Sequence, residues 1–376
     1  MLMFLLTGCV KDSSINTQKT TVTFNDTFEA YWNGMNKNYL FWDLDKTNWD
    51  LIYQNYKPKF QKLDINNITD QQTSIKYFKE ITAQLIDCHY SIAISYPHQL
   101  PISIYPSATR YVNSTNYHLP YIYYNIDSSY LDVGFVKGNY ITSDQQNIFA
   151  MTGTIKHQIL YFTCSQFGLQ EAFTANSSNG VKLALQRFFA NVDEIKQANY
   201  KGVIIDVRNN PGGNNSDLNF FVGKLINTSL FFGYTKYKSA SGRFNYTPWI
   251  KATISPSTTN YTIQIPIIVL ADNYSKSLSE LVTMAIRALP KSFVIGEPTW
   301  GATGSLDGYG IYNDGSFTIG TTLNIYEASN QFKYIDGKSY EGIGFPPDQY
   351  IPYNEQELAS GRDEQLEAAI TKISSQ

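Results

Sequence analysis

An apolar run that ends directly in a Pro-Gly-Gly turn, Val203-Ile204-Ile205-Asp206-Val207-Arg208-Asn209-Asn210-Pro211-Gly212-Gly213, constrains this chain more than any other feature. The run reads as a buried strand, and the glycines let backbone N–H groups face a cavity with no Cβ in the way. Taken alone, Gly-Gly is more often just a tight strand-to-helix connection. The surroundings add weight: from about Ile155 onward short apolar runs alternate with helical patterns, at 159–163, 181–195, 203–207, 217–226, 267–270 and 278–289. That alternation predicts βαβ units, whose functional residues gather at the strand ends.

The rest of the chain reads differently. Residues 24–88 are helical in pattern, with Trp49, Tyr53, Tyr56 and Phe60 on one face and Ile75, Phe78, Thr82 and Leu85 on another. Asn48 and Asp70 are candidate caps. Residues 90–143 carry short Tyr- and Ile-rich runs broken by prolines, which suits irregular β-structure, and 355–373 reads as one amphipathic helix. The fold class is therefore α/β (α+β overall). The expected domains are an apolar leader over 1–9, a tether over 10–22, a helical domain over 23–92, a β-rich connecting segment over 93–150 and an α/β domain over 151–376.

Composition excludes several functions. With 43% hydrophobic and 16% charged residues the chain is a folded protein, and 29 basic against 32 acidic residues leave no positive excess for nucleic acid. Three cysteines and four histidines, with no HExxH pairing, predict neither a disulfide scaffold nor a metal, and no cofactor is expected. The 29 Tyr and 22 Phe suit core packing or a substrate groove.

At the N-terminus, Leu2-Met3-Phe4-Leu5-Leu6-Thr7-Gly8-Cys9 is apolar, ends in small residues before a cysteine and is followed by polar residues. It is too short to span a membrane. Leu6-Thr7-Gly8-Cys9 resembles the bacterial lipobox, which implies lipidation at Cys9 and a lipid-anchored place in the bacterial cell envelope.

Two further strand ends carry reactive residues. Ile267-Ile268-Val269-Leu270-Ala271-Asp272-Asn273-Tyr274-Ser275-Lys276-Ser277-Leu278-Ser279-Glu280 places three hydroxyls at a helix start, where such residues are more often caps than nucleophiles. Val294-Ile295-Gly296-Glu297-Pro298-Thr299-Trp300-Gly301 enters another Gly-rich turn. These segments, followed in order by Gly342-Ile343-Gly344-Phe345-Pro346-Pro347-Asp348, resemble the serine peptidase family of carboxyl-terminal processing proteases and the tricorn core.

The resemblance implies a helical domain followed by a crotonase- or ClpP-like α/β core, and an envelope-anchored endopeptidase acting on polypeptides. It makes Ser277 the nucleophile and Gly212 or Gly213, with Leu278, the oxyanion donors. One branch of the family places a Lys base just after the Gly-Glu-Pro-Thr-x-Gly turn, where this chain has Ala302. A neutral hydroxyl needs a base, and the tricorn-like branch takes it from a His in the position of His89, within Asp87-Cys88-His89-Tyr90. A lone His at a helix end is otherwise a C-cap or surface group. Glu341 matches the carboxylate that orients the His or an intervening residue, and equally suits a solvated turn. Two rivals share the scaffold: a catalytically weak or inactive lipoprotein that binds peptides or glycans, which the departures at Cys88 and Ala302 allow, and an esterase or acyl-transfer enzyme.

Overall fold

The computed structural model describes residues 23–195, 197–257, 263–306 and 315–375. The expected signal, the tether and Cys9 lie outside them. No helix among the described residues is long and apolar enough to cross a membrane.

Three helices open the chain: α1 (Phe24–Asn38), α2 (Trp49–Phe60) and α3 (Ile68–Thr82). Asn48 caps α2 by accepting from Leu51 N. The cap of α3 is Asn67, which accepts from Thr69 N and Asp70 N, so Asp70 stands in the first turn rather than at the cap. The chain continues through β1 (Ser91–Ile94), β2 (Ile102–Ile104), α4 (Pro106–Val112) and α5 (Tyr124–Asp127).

β3 (Val136–Ile141), β4 (Asn147–Ile155) and β5 (Ile159–Cys164) lead through α6 (Leu169–Thr174) and α7 (Gly180–Asp193) to β6 (Gly202–Asp206). After β7 (Leu230–Tyr237) and β8 (Ile250–Ile254) come β9 (Ile267–Ala271), α8 (Leu278–Arg287) and β10 (Ser292–Gly296). Then follow β11 (Ser316–Ile319), β12 (Leu323–Tyr326), β13 (Asn330–Tyr334), β14 (Gln349–Tyr350), α9 (Glu355–Ala359) and α10 (Glu364–Ser374). The expected single C-terminal helix is thus two. Gly361 breaks it with φ +86°, a conformation costly for residues with a Cβ, and Asp363 then caps α10.

The central sheet has the order β14-β10-β9-β6-β5-β4-β3, parallel from β14 to β5 and antiparallel at β4 and β3. Both faces are buried, which explains its unbroken apolar runs. Leu160, Val203, Ile205 and Val269 pack toward α7 and α8, while Tyr161, Ile204, Ile268 and Leu270 pack toward α10.

The N-terminal helices do not form a unit bounded at residue 92. β1 pairs with β12 in the four-stranded sheet β11-β12-β1-β2, and Ile319, Leu323 and Ile325 complete the core under α1 and α3. Two polar ties reinforce this: Gln331 Nε2 donates to Leu40 O at 2.6 Å and Ala328 N donates to Asp87 Oδ2 at 2.8 Å. The 93–150 stretch is also shared, since β3 and β4 belong to the central sheet.

The segment around Tyr111–Tyr130 is a strap packed over the carboxyl ends of the strands. Tyr124 stacks on Phe149 and His118 on Tyr353. Beneath it the buried Arg208 guanidinium meets Asp206, Asp127 and Asp363, with the Tyr123 ring 3.8 Å away. Arg208→Leu leaves three buried carboxylates without their cation. We expect it to cost about 3–5 kcal/mol in urea denaturation; a loss below about 1 kcal/mol would contradict this account.

Candidate active site

Three strand ends build the site. After β6 the chain turns through Gly212 and Gly213, at φ +97° and +144°. A Cβ on Gly212 would stand 2.8 Å from Lys276 O and from Ser277 Cβ, and one on Gly213 would stand 1.9 Å from Phe167 O. Only glycine allows the turn to approach the start of α8 this closely. After β9, Ser277 takes φ +53° and ψ −118° just before α8, a strained conformation for a residue with a side chain.

Hydrogen bonding separates the three hydroxyls. Ser275 Oγ accepts from Asp272 N and donates to Val207 O at 2.7 Å. Ser279 Oγ donates to Asn210 O and Oδ1, both at 2.8 Å. Both are buried staples between the turn after β6 and the start of α8. Ser277 instead lines an open pocket of about 770 Å³ with His89, Gln166, Gly212, Gly213 and Asn214.

The two glycines are not equivalent as donors. Gly212 N donates to Asn210 Oδ1 at 2.9 Å, whereas Gly213 N and Leu278 N have no partner among the described residues. Gly213 and Leu278 therefore present the free N–H pair beside Ser277, an arrangement suited to a developing oxyanion.

His89 stands on the same pocket. Its N–H donates to Asp87 Oδ1 at 2.8 Å, as does that of Tyr90 at 3.1 Å, which fixes the tight loop carrying it. Its Nδ1 is buried without a hydrogen-bond partner. Burial, followed by the charge of Lys276, pushes the imidazole down to about 4. The ring is thus neutral, the form that can accept a proton, throughout the neutral range. Lys276 itself stands over the Trp300 ring at 3.5 Å.

Glu341 does not reach His89 directly. Its Oε1 accepts from Cys88 N at 2.8 Å, and its Oε2 accepts from Thr303 N at 2.8 Å, Thr303 Oγ1 at 3.0 Å and Gly304 N at 2.9 Å. Burial and then the charge of Asp87 push its carboxyl well above the usual range, while these donors pull it down.

A second carboxylate mirrors it. Glu280 accepts from Ser277 N at 3.1 Å, Thr299 Oγ1 at 2.5 Å, Gly301 N at 2.8 Å and Ala302 N at 2.6 Å. Burial pushes it up to about 7 against those donors. The four consecutive amides of 301–304 thus bind two carboxylates, one fixed to Ser277 and the other to the loop of His89. Sequence reasoning noted Glu280 only as a motif letter and assigned no role to Asn210 or Asp87. The Asp-x-His spacing is a readable signal for Asp87, but the Asn210 clamp depends on contacts distant in sequence.

A hydroxyl at a strained turn and a neutral imidazole on one pocket, with two free N–H groups beside the hydroxyl, suit the chemistry of a serine hydrolase. The chain belongs to peptidase family S41, whose family model matches residues 158–351. It is 30% identical to the tricorn protease of Thermoplasma acidophilum over 179 residues, 48% of this chain and 15% of that one. Two solved structures share the fold: a candidate peptidase from Parabacteroides merdae (TM-score 0.68, 22% identity, 94% of this chain and 97% of that chain) and mature CPAF complexed with lactacystin (TM-score 0.60, 10% identity, 94% and 98%).

Three measurements check this geometry. Glu280→Gln turns an NH2 group toward N–H donors and should cost about 2–3 kcal/mol of stability in denaturant titration; an unchanged midpoint would contradict the bridge. For His89, the unfolded chain takes up a proton near the ordinary value of 6.5 while the folded chain refuses it until about 4. Stability due to this group therefore falls as pH drops through that window, and His89→Ala should flatten the slope. In an NMR titration the His89 ring should change near pH 4, and Lys276→Met should move its midpoint up. A midpoint near 6.5 in the unsubstituted protein would refute the assignment.

Proposed function

We propose that this chain is a serine endopeptidase in which His89 takes the proton of Ser277 as the hydroxyl attacks a peptide carbonyl. The N–H groups of Gly213 and Leu278 receive the oxyanion, and His89 passes its proton to the leaving amine. A water molecule, activated by the same imidazole, then releases the acyl group from Ser277. Glu341 and Asp87 act as positioning residues through the backbone of the 87–90 loop. One observation carries the reading: of three hydroxyls at the start of α8, two are buried staples to the turn after β6, and the third lines a pocket with His89 and Gly213, with Leu278 next to it in the chain.

The test is reaction with a fluorophosphonate, with the adduct located by mass spectrometry. Labelling is expected at Ser277 and should fall on His89→Ala, while Ser277→Ala should lower peptide hydrolysis by about four orders of magnitude or more. Labelling that survives His89→Ala would remove His89 as the base. A parallel panel of ester substrates separates peptide hydrolysis from esterase chemistry.

The unpartnered Nδ1 of His89 favours a second reading, a weakly active or purely binding protein on this scaffold, because no carboxylate fixes the ring tautomer. A folded protein that is never labelled would support it.

We also propose that Cys9 of Leu6-Thr7-Gly8-Cys9 is lipidated and anchors the protein in a bacterial cell envelope. Mass spectrometry of membrane-extracted protein should find a diacylglyceryl group there, and Cys9→Ser should release the protein from the membrane fraction. Equal membrane recovery of both forms would count against the anchor.

A further inference from the structure

A groove of about 770 Å³ opens between the C-terminal end of α3, β2 and α4, and it shares no lining residue with the pocket of Ser277 and His89. Its wall carries two cations, Lys79 and Arg110, and no carboxylate. Tyr105 and Val112, 55% and 54% exposed, line it as apolar surface. β2 ends the four-stranded sheet, so its outer edge has no partner strand among the described residues. An unpaired strand edge is a template for an extended chain, whose main chain it can bond while pockets take alternate side chains.

The groove also adjoins the loop of the base. Ser107 in α4 donates through Oγ to Cys88 O at 3.0 Å, one residue before His89, and Arg110 Nη1 donates to Ala83 O at 2.9 Å just after α3. A chain held here therefore lies one short helix away from His89.

We propose that this groove docks an extended, acidic segment of a polypeptide along β2, with glutamate or aspartate side chains facing Lys79 and Arg110. The lack of any carboxylate in the wall selects against basic segments, and the apolar rim accommodates the alternate side chains. That the docked polypeptide is a substrate rests on the peptidase reading, whereas the binding itself does not.

The test uses the full chain carrying Ser277→Ala, titrated into a fluorescein-labelled, C-terminally amidated peptide of about ten alternating Val and Glu residues, long enough to run past β2. Fluorescence anisotropy should show saturable binding, weaker by about tenfold or more for the Val-Lys counterpart and for the double variant Lys79→Glu, Val112→Glu. Both positions are exposed, and circular dichroism confirms that the variant is folded. Amidation removes the terminal carboxylate, so binding reports side-chain charge. The proposal is overturned by absence of saturable binding, by equal affinity for both peptides, or by an unchanged affinity in the double variant. It is also overturned if binding appears only after residues 1–22 are removed, because the groove would then hold the chain's own N-terminal segment. Failure of the peptidase reading shows separately, as a wild-type protein that the fluorophosphonate never labels while Ser277→Ala still binds the peptide.

Discussion

The site depends on two buried carboxylates that share one stretch of backbone. A carboxylate removed from water is tolerable only where several donors replace its hydration. Glu280 and Glu341 each have four, two of them in each case peptide N–H groups drawn from the consecutive residues Gly301, Ala302, Thr303 and Gly304. Because Glu280 also holds Ser277 N and Glu341 also holds Cys88 N, Ser277 and the loop of His89 are referenced to the same four peptide units. The segment Gly301-Ala302-Thr303-Gly304 thus acts as a ruler between chain segments far apart in sequence. Ala302 takes part through its backbone alone.

Around this bridge the polar groups divide the labour of holding and reacting. Asn210 binds the Gly212 N–H, both hydroxyl contacts of Ser279 and the Cys164 carbonyl, so the turn after β6 is locked before any ligand arrives. What faces the pocket is small: the turn at Gly213, Ser277 and the imidazole, with Leu278 N beside them. Preorganised donors of this kind need no rearrangement when charge develops, and that is where their advantage over water lies. Lys276, over Trp300, adds a positive charge that favours neutral His89.

How much of this could be read in advance follows from how local each interaction is. The strands at 203–207 and 267–270, the Gly-Gly turn and the Ser-rich helix start were legible because a buried parallel strand and its turn are written in consecutive residues. The α3 cap was misplaced by three positions because Asn67 and Asp70 are both plausible acceptors, and only the backbone path decides between them. The C-terminal helix was over-extended across Gly361, whose positive φ outweighs the apolar periodicity on either side. Gly212 and Gly213 looked alike until the Asn210 side chain took one of the two N–H groups. The boundary at residue 92 was invisible as a shared core because its other half, β11 and β12, comes near the end of the chain. The export segment and its Cys9 lie outside the described residues, and their reading rests on sequence alone.

The pairing of β1 with β12 bears on when this protein can act during its own synthesis. A chain emerging N-terminus first exposes α1 to α3 early, yet their core is incomplete until Ile319, Leu323 and Ile325 arrive, and the loop of His89 waits for Ala328 and Glu341. Contacts of such sequence separation close slowly, since the entropy of a long loop must be lost before any contact compensates for it. Ser277 and His89 are therefore brought into register only once the chain has been made as far as Glu341. Until then a nascent copy, among other unfolded chains, holds the parts of a hydrolase without the means to cut its neighbours.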